Sequence, residues 1–91
     1  MDEIGEIILA LERMLKGEDS TYEWDDRMGI NFKDQKAETV RRLCFMVPDV
    51  FPPGNKNEWK LKGEWYCNPD GLAVLRTIAD GLKKLRVESA N

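Results

Sequence analysis

Ninety-one residues, 42% of them hydrophobic and 34% charged, suit a single domain with one core and are too few for two. The complete absence of histidine excludes a Ser-His-Asp triad, a Cys-His nucleophile pair and histidine-ligated zinc. The net charge of -3 conceals a split, because residues 1–26 carry nine acids against two bases and residues 27–91 carry eight against twelve.

No apolar run approaches the roughly 20 residues that a membrane span needs. Met1-Asp2-Glu3 lacks the basic start of a secretory signal, so a cytoplasmic location and no membrane partner are expected. Cys44 and Cys67, with no leader peptide, are expected to stay reduced.

The first helix is expected from about Asp2 to Lys16, where Ile4, Ile7, Ile8, Leu11, Met14 and Leu15 recur on one face. Asp2, Glu3 and Glu6 lie at its positive end and Arg13 and Lys16 at its negative end. Gly17 is its stop. Next, Ser20 to Glu23 has the form of a capping box and admits a short helix from Thr21 to Met28. Tyr22 and Trp24 are two apart, however, which suits an extended segment equally well. Residues 18–33 therefore read as a partly ordered connection whose aromatics dock on the core.

Asp34 is the N-cap expected for a helix from about Gln35 to Met46, with Ala37, Val40, Leu43 and Cys44 as its inward stripe. Arg41 and Arg42 point elsewhere, at least one to solvent. Pro48 is expected to end this helix, since the residue before a proline disfavours helical geometry. Val50 and Phe51, in the stiff loop that follows, are expected to tuck inward. Trp59, Leu61, Trp65 and Cys67 fall on alternate positions, the pattern of a short strand or hairpin over 57–67.

Asn68-Pro69 is a strong helix start. Leu72, Leu75, Ile78, Ala79, Leu82 and Leu85 give this last helix one apolar face to about Arg86, with residues 87–91 frayed. Gly71 and Gly81 weaken it by roughly 1 kcal/mol each relative to alanine. The expected fold is all-α: a single domain, residues 1–91, built as a small bundle of three main helices. The short fourth helix and the hairpin remain open within it.

The residues that point to function lie between 18 and 26. Glu18, Asp19, Glu23, Asp25 and Asp26 surround Tyr22 and Trp24 with no base among them, a composition suited to contacting a basic protein. The carboxylates would steer encounter and the aromatics would anchor it. The competing reading makes the acids a solvated loop and Trp24 a core residue. Asp25-Asp26 with Glu23 lacks the alternating ligands and turn glycine of a calcium loop, so neither metal nor cofactor is expected. Nor does any partner nucleophile accompany these acids, and an enzyme is not expected.

An alternative face is basic. Arg41, Arg42, Lys60, Lys62, Lys83 and Lys84 flank the later aromatics, and lysines alternating with aromatics bind single-stranded nucleic acid by phosphate contact and stacking. Against this stands a pI of about 5.0, far from the basic balance of nucleic-acid-binding domains. Acidic and basic faces meeting head-to-tail would also drive self-association. Phe51, Trp59, Trp65 and Tyr66 either cover the open end of the bundle or line a small-molecule pocket, and the former is favoured.

Taken together, Tyr22-Glu23-Trp24-Asp25-Asp26, Val50-Phe51-Pro52-Pro53 and Tyr66-Cys67-Asn68-Pro69-Asp70-Gly71-Leu72 resemble a pattern of small bacterial helical proteins with no assigned activity. An aromatic commonly follows the Asp-Asp pair in that pattern, whereas this chain has Arg27-Met28. In size, acidity and helicity the chain is also similar to immunity proteins of the colicin type. That likeness implies a non-enzymatic inhibitor that blocks a basic nuclease.

Overall fold

The structure, a computed structural model, describes residues 2–19, 21–54 and 65–90, with side chains to Arg86. Four helices occur among them: α1 (Glu3–Leu15), α2 (Thr21–Met28), α3 (Gln35–Val50) and α4 (Pro69–Ala90). No strand occurs among the described residues, which confirms the all-α class. Nor is any helix among them long and apolar enough to cross a membrane.

Local chemistry sets most helix ends. The Asp2 and Asp34 carboxylates accept from the Gly5 and Ala37 amides at 2.8 and 2.9 Å, and Asn68 accepts from the Gly71 amide at 2.9 Å. Each satisfies a backbone donor that has no partner within its helix. The α1 terminus closes with Gly17 at φ 79°, its amide bonded to Met14 and that of Glu18 bonded to Arg13. Only glycine enters that left-handed region without steric cost. The helical alternative holds for residues 21–28, while the Ser20 half of the expected capping box lies outside the described residues.

α3 departs from expectation, for it runs four residues beyond Met46 with Pro48 inside it. A proline has no N–H for the carbonyl four residues back, here that of Cys44. The Tyr66 hydroxyl supplies that donor at 2.6 Å, buried, from the turn before α4. The helix closes instead where the Phe51 amide bonds the Val47 carbonyl at 2.8 Å. α4 likewise continues to Ala90, past the fraying expected after Arg86. Most of the hairpin expected over 57–67 lies outside the described residues, and its described end, residues 65–67, is a turn and not strand.

α1 packs on all three other helices and forms the centre of the bundle. Ile7, Ala10, Leu11 and Met14 from its inner face are fully buried against Trp24, Met28, Cys44, Leu75 and Ala79. Burying side chains of this size contributes roughly 1.5–3 kcal/mol each. Outside the core, Glu3 accepts from the Lys33 and Asp34 amides at 2.9 and 2.7 Å and ties the start of α3 to α1. Arg86 reaches the Asp2 carboxylate at 2.6 Å and ties α4 to the same end.

α4 starts beside the end of α3. The Asn68 amide bonds the Phe51 carbonyl at 3.1 Å, and a Cβ on Gly71 would come within 2.8 Å of Phe51 Cβ and 2.9 Å of Cys67 Sγ. The two helices then run back along each other in opposite directions. Leu43, Met46 and Val50, on the outer side of α3, are 49%, 55% and 65% exposed. The inward stripe expected for Leu43 and the inward tuck expected for Val50 are therefore corrected, as is the buried position expected for Leu85, while Phe51 is half-buried.

Candidate functional site

Helical periodicity divides α2 into two faces. Trp24 and Met28, four apart, point inward, and both are buried. Trp24 is 1% exposed, with its ring 4.9 Å from Tyr66 and 6.0 Å from Phe45. It belongs to the core, so its expected role as an anchor for a partner is overturned. Its indole N–H makes no hydrogen bond among the described residues, yet it lies close enough to the Tyr66 oxygen to favour loss of the phenol proton. Burial outweighs that effect and raises the Tyr66 pKa.

Tyr22 and Asp26 take the opposite face, with Asp25 on the flank. Tyr22 is 79% exposed, and both aspartates are exposed. Among the described residues neither aspartate has a cation within ion-pair distance.

The other acids of this segment serve the fold. Asp19 is 5% exposed and accepts from Arg13 Nε at 2.8 Å, with Arg27 Nε 3.7 Å from its second oxygen. Arg13 also meets Glu18 at 3.3 Å. Glu23 is half-buried, and together with Asp19 and Glu18 it holds the Arg13 guanidinium above its ordinary pKa, with Asp19 contributing most. The segment itself has no base, so α1 and the end of α2 supply two. Of the seven expected contact residues, Tyr22, Asp25 and Asp26 remain exposed on α2, while Glu18 is exposed but paired with Arg13.

Among the described residues, the basic alternative does not assemble into one face. Arg41 is 9% exposed; it donates to Glu38 at 2.6 and 2.7 Å, to the Met28 carbonyl at 3.0 Å and to Asn31 at 2.9 Å. It closes the end of α2 and holds the loop before α3, with its guanidinium 5.5 Å from the Phe45 ring centre. Arg42 is exposed but bonds Glu38 at 3.0 Å. Lys83 pairs with Glu12 at 3.2 Å, and Lys84 is exposed on another side of α4. Lys60 and Lys62 lie outside the described residues.

Glu38 stands at the centre of this network. Two arginines and the Phe32 amide, the last at 2.8 Å, lower its pKa to about 2, with the Arg41 hydrogen bonds contributing most. Burial pushes the Cys44 thiol up to about 12 and that of Cys67 up to about 11. Neither is an activated nucleophile, since the thiolate is the reactive form. Among the described residues no three Cys, Asp or Glu side chains are grouped to hold a metal ion.

An apolar groove between α3 and α4 was missed by sequence reasoning. It has a volume of about 310 Å³ and is lined by Leu43, Met46, Val47, Val50, Phe51, Val74 and Ile78. The spacing of Leu43, Met46 and Val50 was a signal for it, but it becomes visible only once the helix is carried through Pro48. No family model, curated protein or solved structure matches this chain.

Proposed function

We propose that the chain is a non-enzymatic protein-binding module that engages a basic partner through the outer face of α2. The observation that carries this reading is the exposure of Tyr22, at 79%, beside Asp25 and Asp26 one turn further along. A large aromatic held in water beside two carboxylates contributes nothing to the core. Pressed into a partner's pocket, Tyr22 becomes an anchor, while the carboxylates speed encounter with positive charge. Because Trp24 locks the opposite face of α2 into the core, this surface is already ordered before binding, which lowers its entropic cost.

An inhibitor or immunity-type protein that covers the site of a cationic enzyme is the concrete form we favour. The likeness in size, acidity and helix content to colicin-type immunity proteins supports it, and a cytoplasmic location goes with it. The test is stopped-flow association with a panel of cationic nuclease domains at several salt concentrations. Asp25→Lys with Asp26→Lys should slow association and flatten its salt dependence, and Tyr22→Ala should mainly speed dissociation. No binding anywhere in the panel, or unchanged kinetics in both variants, would overturn the reading.

A further inference from the structure

Two preferences compete at the end of α3. Pro48 offers the Cys44 carbonyl no amide, and its ring crowds Val47 away from helical geometry. Local chemistry therefore favours a helix that stops at Val47, yet α3 runs on to Val50. What reverses the preference lies outside the helix: the buried Tyr66 hydroxyl, 2.6 Å from the Cys44 carbonyl. Where local and tertiary preferences disagree, a second arrangement lies within reach, and a conformational switch is built from such a conflict.

The last turn of α3 and the turn before α4 hold each other in place. Among the described residues two hydrogen bonds join them, from the Tyr66 hydroxyl to Cys44 and from the Asn68 amide to the Phe51 carbonyl at 3.1 Å. Phe51, Cys67 and Gly71 also meet so closely that a Cβ on Gly71 would stand 2.8 Å from Phe51 Cβ and 2.9 Å from Cys67 Sγ. Neither half can move without the other. Water surrounds the junction, because Asp49, Val50, Pro52, Pro53, Pro69 and Asp70 are all exposed. The rest of the core does not depend on it: Ile7, Leu11 and Met14 of α1 are buried with Met28 of α2 and Leu75 and Ala79 of α4.

We propose that residues 48–51 and 66–68 form a latch that opens as one unit while the core of the bundle stays packed. In the open form α3 ends at Val47, and water replaces the Tyr66 hydroxyl on the Cys44 carbonyl. The Cys67 thiol, fully buried when the latch is closed, becomes accessible, while that of Cys44, on the inward side of α3, stays buried. The latch stands independently of the α2 reading, because it uses no residue of the outer face of α2.

Iodoacetamide alkylation of the wild-type protein tests it, read thiol by thiol by peptide mass spectrometry at urea concentrations below the unfolding midpoint. Cys67 should react at a rate that urea scarcely changes, because opening the latch bares little surface. The rate at Cys44 should climb steeply with urea, because only global unfolding exposes it. Ile7→Val weakens the core and leaves the latch alone, so it should speed Cys44 about fivefold and leave Cys67 unchanged. Tyr66→Phe leaves the closed latch with an unsatisfied carbonyl that water satisfies on opening, and should speed Cys67 about tenfold. Two thiols that react alike with the same urea dependence, an equal response of both to Ile7→Val, or a Cys67 rate indifferent to Tyr66→Phe would each overturn the proposal.

Discussion

The hydroxyl of Tyr66 donates to the carbonyl of Cys44 at 2.6 Å, the carbonyl that Pro48 leaves without its helical N–H. A residue just before α4 thus completes the hydrogen bonding of α3, and α3 continues through its proline to Val50. The extra turn carries Val47, Val50 and Phe51, which position α4 and form one end of the groove.

Tyr66→Phe keeps the ring against Trp24 and removes only the donor. The buried carbonyl is then unsatisfied, and stability should fall by about 1–3 kcal/mol. Pro48→Ala returns an N–H to the same carbonyl, so in that background Tyr66→Phe should cost measurably less. Urea denaturation of the four proteins gives the coupling, and strictly additive losses would show that the hydroxyl does not stand in for the missing amide.

Acid should act strongly on the α2–α3 junction. Glu38 has a pKa of about 2 in the folded protein against an ordinary value of 4.5. A carboxylate lowered on folding adds stability that is fully present above its unfolded pKa and is lost as pH falls through its folded one. Stability should therefore decline between about pH 4.5 and about pH 2 through this group. Glu38→Gln should be less stable at pH 7 and show a flatter decline in that window. Denaturant midpoints measured from pH 7 to pH 2 would check both, and parallel curves would exclude Glu38 as a principal acid-sensitive group.

The two glycines of α4 should respond oppositely to alanine. Gly81 has open space around it, so Gly81→Ala should stabilise dilute protein by roughly 0.5–1 kcal/mol through helix propensity. At Gly71 a methyl would press on Phe51 and Cys67 at 2.8 and 2.9 Å. Gly71→Ala should therefore destabilise by about 1–3 kcal/mol despite the same gain in propensity. Thermal melts at low concentration would separate them, and two stabilising substitutions would mean that the α3–α4 junction yields easily.

What the sequence by itself determined is what short-range physics controls. The apolar periodicity of residues 4–15 and 72–82, the caps at Asp2, Asp34 and Asn68 and the stop at Gly17 each depend on neighbours within a few positions, and all stand in the fold. Which face of an element is buried was decided only by tertiary structure, because that depends on what packs against it. Trp24 went inward because Tyr66 and Phe45 close around it, and Arg41 was buried because Glu38, Asn31 and the Met28 carbonyl satisfy its donors. Pro48 stayed helical because a hydroxyl 18 residues further along fills the gap it leaves. Leu43 and Val50 were left in water because α4, antiparallel beside α3, covers only one edge of their stripe.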